Sequence, residues 1–462
     1  VKKSDQSIVK IFFISLVLCL AFGCNDTKNK KDEDDEDPRS GDKISDADSK
    51  YFDSKPDINS DGSKVVFISN RTEELKAYKF DRDAVKKNQL QRITESDDDI
   101  GQEIETAISP DGAWIAIIAL KDGEQKVFIK DFADQIAIVT VADDLDGPKS
   151  SVSFSSDSQY LMFSSRDATN YLRQTYVVKV NADGTVGAET KISDEAEASA
   201  GDEYGAVWVP VAGGASYRVD AKVRIPGTFK TSIVSHTFTT LAAVSHATLL
   251  SDLDLAPDVG MAASETALYF AEKNPTGKNR REEISIQGTT TLATKFQVST
   301  GASAVAVGAS KAEPIVSTAI DIVALSTSKD GSVGIWTVIE PLSCGTKLFY
   351  DSSLLKFNSS TEKLERLVLK GDALEDVDQP PNFKWKLIED VCDSTGEEGE
   401  KNGIDGNIPF AKISAGATAD SYSVVYTSYF MNRDTEIRLL KVEADEAVFY
   451  EVSDNLSPYV PK

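Results

Sequence analysis

The sequence predicts an all-β fold, a β-propeller of seven blades, each a four-stranded antiparallel sheet. Three observations predict it. A turn tetrad recurs as Asn59-Ser60-Asp61-Gly62, Ser109-Pro110-Asp111-Gly112 and Ser155-Ser156-Asp157-Ser158. Each aspartate is followed at +4 and +6 by large apolar residues: Val65 and Phe67, Ile115 and Ile117, Leu161 and Phe163. The copies stand 50 and 46 residues apart, room for four short strands and their turns.

Each element has its own cause. Ile58, Ile108 and Phe154, three residues before the aspartates, close a first strand. The tetrad is a hairpin turn: Pro presets φ, Asp or Ser bonds the nearby backbone, and Gly accepts the tight geometry. The +4/+6 alternation is the period of a second strand with those side chains on one buried face. A third strand follows at Lys76 to Phe80, Lys126 to Ile129 and Thr175 to Val180, and a short fourth as in Leu90 to Thr94. The frame continues, less cleanly, at Asp330-Gly331 with Trp336 at +6 and at Asp420 with Val424 and Tyr426. Ser264 (Leu268, Phe270) and Gly213 (Tyr217, Val219) are poorer copies. The seven slots are then spaced by 50, 46, 56, 51, 66 and 90 residues. The widest gap holds a polar stretch, 372–406, with Pro380-Pro381 and a run from Gly396 to Gly403, and reads as a long inserted loop.

The N-terminus reads as an address rather than as fold. Lys2, Lys3 and Lys10 precede an apolar run of twelve residues, Ile11 to Phe22, broken only by Ser15. A membrane-spanning helix needs about 20 apolar residues, so 1–23 is expected to be a signal peptide. Leu20-Ala21-Phe22-Gly23-Cys24 resembles the lipobox of bacterial lipoproteins, which implies cleavage before Cys24 and acylation of its thiol. Ala21 and Phe22 are less usual there, and the alternative is an ordinary secreted protein cleaved near the same place. Residues 24–50 hold few apolar side chains and six consecutive acids, Asp32 to Asp37. That composition cannot offset ordering entropy and reads as a disordered acidic tether. The body is then 51–462.

Composition excludes some partners. The formal net charge is −25, and removing a leader with three lysines and one aspartate takes it to −27. Such a surface lacks the basic patches that neutralise phosphates, so nucleic acid is not an expected partner. Of four cysteines, Cys344 and Cys392 remain in the body. Pairing is favoured in an oxidising compartment and would close a 48-residue loop, worth about 4 kcal/mol in the chain-entropy model. Two separately buried thiols are the alternative.

The Ser-Pro-Asp-Gly turn with alternating apolar residues, followed by Phe-x-Ser as in Phe67 to Ser69 and Phe163 to Ser165, resembles the blade repeat of the TolB family. Propellers of prolyl-oligopeptidase-type enzymes carry the same repeat. The clear copies cover Pro56 to Asp194, about a third of the mature chain. The resemblance implies six blades, which stays open beside the count of seven. It also implies protein–protein contact in the periplasm. A lipid anchor, an acidic tether and divergent later copies depart from that family.

Catalysis is not expected. No Gly-x-Ser-x-Gly elbow of an α/β-hydrolase occurs, and the last apolar run, Glu436 to Val452, reads as part of a blade. The two histidines, His236 and His246, each follow a serine. Adjacency in sequence supplies no carboxylate-oriented base, and both read as strand-surface residues. Zinc lacks thiolate and imidazole ligands. Calcium by the acid groups Asp97-Asp98-Asp99 or Asp252, Asp254 and Asp258 is the weak remaining alternative, against solvated loops. The small-residue stretch Thr300 to Ala312 reads as strand or linker, not as a phosphate cradle. The expected function is a membrane-anchored interaction module of the cell envelope, outer membrane favoured because Asn25 rather than Asp follows Cys24. A binding protein or residual enzyme for a sugar or peptide at the channel mouth is the alternative.

Overall fold

The computed structural model describes residues 52–452 apart from breaks, the longest at 273–282, 298–320, 370–382 and 387–410. Cys24, the signal segment, the acidic tether, Asp97 to Asp99, Thr300 to Ala312 and Cys392 lie outside the described residues. The described residues contain strands, turns and bends and no helix.

Among the described residues twenty-nine strands form seven antiparallel sheets in chain order. Sheet 1 is β1 (Asp53–Ile58), β2 (Lys64–Thr72), β3 (Glu74–Asp81) and β4 (Leu90–Arg92). Sheet 2 is β5 (Glu103–Ile108), β6 (Trp114–Lys121), β7 (Glu124–Asp131) and β8 (Val139–Val141). Sheet 3 is β9 (Lys149–Phe154), β10 (Tyr160–Arg166), β11 (Arg173–Lys179) and β12 (Thr190–Lys191). Sheet 4 is β13 (Asp202–Val209), β14 (Tyr217–Arg224), β15 (Thr231–Phe238) and β16 (Val244–Leu253). Sheet 5 is β17 (Ala262–Ala263), β18 (Ala267–Glu272), β19 (Glu283–Gly288) and β20 (Leu292–Gln297). Sheet 6 is β21 (Asp321–Thr327), β22 (Val333–Cys344), β23 (Lys347–Asn358), β24 (Lys363–Leu369) and β25 (Phe383–Lys386). Sheet 7 is β26 (Ala411–Ile413), β27 (Ser421–Tyr429), β28 (Thr435–Glu443) and β29 (Glu446–Glu451).

Six sheets are therefore four-stranded blades, and sheet 6, which holds the Asp330 turn, carries a fifth strand. That strand corrects the reading of 372–406 as loop throughout: Phe383–Lys386 pairs with β24, Leu369 opposite Phe383. The alternation of apolar Phe383 and Trp385 with Lys384 and Lys386 was its sequence signal.

First strands touch first strands around the whole circle, β1 with β5, then β9, β13, β17, β21, β26 and back to β1. They therefore surround the centre. No sheet mixes strands from the two ends of the described chain, so the ring closes by packing: Val65, Phe67 and Tyr78 of sheet 1 share a cluster with Val425, Ile437 and Leu439 of sheet 7.

The core lies between sheets. Ile115 and Ile117 pack back onto Val66 and Ile68 of sheet 1, whereas Ala116 and Ile118 of the same strand pack forward onto Leu161 and Phe163 of sheet 3. Second strands are buried on both faces, which is why β2, β6 and β10 read as near-continuous apolar runs beneath the +4/+6 alternation.

All seven slots fall between the first and second strands of a sheet. Asp61, Asp111, Asp157 and Asp330 each accept the backbone N–H two residues on, at 2.8 to 3.1 Å. Ser109, Ser155 and Ser328 donate to the aspartate and accept the N–H that opens the second strand. The fourth turn position is left-handed, φ 71° at Gly62 and 64° at Ser158; Gly112 and Gly331 occupy the same place. Asp420 sits in the turn before β27, where Thr418 donates its N–H to Ser421 O.

These turns are linked to each other. Glu265 N–H donates to Lys329 O, Lys329 N–H to Ala415 O, Gly416 N–H to Ser60 O and Ser60 N–H to Pro110 O. Asp111 N–H donates to Ser158 Oγ, and the Tyr217 hydroxyl to Asp157 Oδ2. The girdle gathers the slot turns at one end of the ring and leaves the hairpins between second and third strands at the other.

Candidate functional site

Two sheet boundaries carry the same buried carboxylate. Ala77 and Thr175 are equivalent third-strand residues: each accepts, through its carbonyl, the N–H of the isoleucine after the fourth strand, Ile93 or Ile192. Thr94 and Ser193 follow those isoleucines. At the start of the next sheet, Glu103 accepts from Ala77 N–H at 2.6 Å and Thr94 Oγ1 at 2.5 Å. Glu203 accepts from Thr175 Oγ1 at 2.8 Å and Ser193 Oγ at 2.6 Å. Both latch a sheet to its predecessor near the channel-lining strand.

Their second partners differ. Glu103 has Lys76 Nζ at 3.7 Å, and that lysine also donates to Ile100 O and Gly101 O. Glu203 instead has His236 Nε2 at 3.0 Å from Oε1. Burial pushes Glu103 above the ordinary glutamate value, and its hydrogen bonds and Lys76 offset this only in part. Burial acts on Glu203 in the same sense, yet His236, Ser193 and Thr175 together hold it below that value.

His236 connects onward. β15 and β16 form a hairpin in which His236 and His246 are direct partners. Their Nδ1 atoms are 2.9 Å apart with the rings crossed at 78°. His236 is 1% exposed and His246 is exposed. One Nδ1 must donate and the other accept, so the pair shares a single Nδ1 proton. With His236 Nε2 donating to the Glu203 carboxylate, its Nδ1 either accepts from His246 or, once protonated, donates to it.

This corrects the reading of His236 as a strand-surface residue: it is a buried imidazole oriented by a buried carboxylate, whereas His246 is exposed on β16. The turn between their strands, 239–243, contains no Gly, Pro, Asn or Asp, so no hairpin signature announced the pairing. Glu203 was missed because Glu103 and Glu203 stand eight and ten residues before their slots, so no common offset marks them in the sequence.

Other charges near the starts of first strands are also committed to neighbours. Arg71 Nη2 donates to Asp53 Oδ2 at 2.9 Å, both buried. Arg173 holds Asp202 with two guanidinium nitrogens across the sheet 3–4 boundary, and Lys149 Nζ donates to Leu145 O and Gly147 O. The repeat-turn residues Asp61, Asp111, Asp157 and Asp330 are structural, as the turns describe. Cys344 closes β22, and its proposed partner lies outside the described residues. Among the described residues no group of three or more His, Cys, Asp or Glu is placed to hold a metal, and no helix is long and apolar enough to cross a membrane.

No protein-family model matches the sequence, and no curated protein matches it. Solved structures do. The β-propeller domain of the Trilobed protease from Pyrococcus furiosus is 11% identical over 88% of this chain and 99% of that chain, with a TM-score of 0.47. Acylaminoacyl peptidase from Pyrococcus horikoshii is 11% identical over 87% of this chain and 52% of its own, TM-score 0.47. TolB from Acinetobacter baumannii is 16% identical over 52% of each chain, TM-score 0.35. This chain thus spans about half the length of that peptidase and of that TolB. Neighbours that include peptidases overturn the expectation that the chain is no enzyme. At these identities and TM-scores the likeness assigns no reaction.

Proposed function

We propose that this propeller is an interaction module of the cell envelope, held to a membrane through an acyl group on Cys24 and offering the hairpin end of its ring to a protein partner. One observation carries the reading. Among the described residues three large apolar side chains are exposed: Tyr171 at 71%, Val85 at 62% and Phe52 at 42%. Tyr171, in the β10–β11 hairpin, and Phe52, at the entry to β1, share the hairpin end; Val85, between β3 and β4, lies at the girdle end. Tyr171 also has φ 60°, a conformation costing a non-glycine residue about 1–2 kcal/mol. Aromatic anchors of this kind are enriched at protein interfaces. The charges near the starts of first strands are engaged by neighbouring residues, which favours an end face over a ligand site in the channel mouth.

The test is site-specific photocrosslinking in the source cells, with the reactive residue at position 171 and, at the opposite end, at position 85. A discrete protein adduct from 171 and none from 85 is expected. If 171 yields nothing beyond what 85 yields, the hairpin end is not the interaction face.

A further inference from the structure

We propose that His236 and His246 form a binding site for a tetragonal divalent transition-metal ion of the copper(II) or nickel(II) class, with Glu203 as its orienting carboxylate. This goes beyond the interaction reading. The chain has two histidines, and folding brings both to one cross-strand position with facing Nδ1 atoms. Two nitrogens 2.9 Å apart and each about 2.05 Å from an ion subtend about 90° there. That is the cis angle of square-planar or tetragonal coordination, whereas a tetrahedral ion would need about 3.3 Å between them. Little opening is therefore required for the tetragonal ions, and more for zinc.

The surroundings suit a ligand pair. Histidines that bind metals commonly donate their other ring N–H to a carboxylate, which fixes the tautomer; His236 Nε2 stands 3.0 Å from Glu203 Oε1. Glu203 is itself fixed by Thr175 and Ser193 through its other oxygen, so His236 is held with Nδ1 toward its partner. His246 is exposed and gives the ion an approach from solvent. Entry of the ion displaces the shared Nδ1 proton to solvent, and His246 takes up a proton on Nε2 instead. Water fills the remaining positions.

The experiment titrates the full chain with copper(II) alone, following calorimetry and the electron paramagnetic resonance spectrum. One equivalent with coupling to two nitrogens is expected. His246→Ala, at an exposed position, should abolish that signal while leaving the circular dichroism of the fold unchanged; His246→Asn replaces it if alanine unsettles the hairpin. Glu203→Gln should weaken binding about 10- to 100-fold. Absence of saturable uptake by the native chain overturns the proposal, and so does uptake that survives loss of His246, which would place the ion elsewhere, as on the acids of Asp32 to Asp37.

Discussion

Replacing Gly62 with alanine tests how the ring is closed. A Cβ built there lies 2.2 Å from Ser423 Oγ and 2.4 Å from Ser423 Cβ. Ordinary contact begins near 3.4 Å, so sheets 1 and 7 would have to part by about 1 Å at this point. The girdle bonds on either side, Gly416 N–H to Ser60 O and Ser60 N–H to Pro110 O, would be strained by the same movement. Two costs add. The left-handed φ of 71° costs alanine about 1–2 kcal/mol, and overpacking costs about 1–3 kcal/mol, giving about 2–5 kcal/mol in all. Gly123 separates the two terms: it has φ 82° in the β6–β7 hairpin with nothing within 4 Å of its Cβ position. Gly123→Ala should therefore lose only the backbone part, about 1–2 kcal/mol. Urea unfolding of the full chain measures both, and adding Ser423→Gly to Gly62→Ala should return the overpacking part alone. Equal losses at Gly62 and Gly123 would refute the close approach of the two sheets.

The two equivalent glutamates should respond oppositely to pH. Glu203 is depressed in the folded chain, so its ionised contribution is complete above the ordinary glutamate value and is lost as pH falls through the lower, folded value. Glu103 is raised, so the fold loses stability as pH rises from the ordinary value through the higher, folded one. Denaturant midpoints of Glu203→Gln and Glu103→Gln against the native chain, between about pH 3 and pH 8, should give difference curves of opposite slope; parallel curves would refute this. For the covalent state, Cys24→Ala should release the protein from membranes to the soluble fraction in high salt, because stable anchoring takes two or more acyl chains and a mature chain at −27 does not adhere to anionic lipid. A variant that is processed and stays in the pellet would exclude the lipid anchor. Non-reducing peptide mapping should join Cys344 to Cys392, and recovery of both as free thiols would remove the bridge.

The strand order within a sheet, the place of all seven slots between first and second strands, and the aspartate geometry were legible in the sequence. Those features are local: a side chain bonding the backbone two residues on needs only its own turn, and the alternation needs only its own strand. The fifth strand of sheet 6 was not legible, because Phe383–Lys386 is short and follows closely on Pro380-Pro381, and only pairing with β24 makes it a strand. The burial of second strands on both faces was half legible, since Val66 and Ile68 look as apolar as Val65 and Phe67, but which face meets which neighbour depends on how the sheets stack.

The candidate site belongs to tertiary structure almost wholly. Its carboxylate comes from β13, its imidazoles from β15 and β16, and its fixing hydroxyls from sheet 3, so Thr175 and Glu203 stand 28 residues apart and Glu203 and His236 stand 33 apart. The sequence by itself determined a repeating β chain, a charge of −25 and a pair of histidines ten residues apart. Whether those histidines faced water or each other was decided by the register of one hairpin, and whether one of them met a carboxylate by the folding of sheet 4, which sets β13 and β15 on either side of β14. A register shift of one residue would turn one imidazole to the other face of the sheet, and no periodicity in the sequence records that choice.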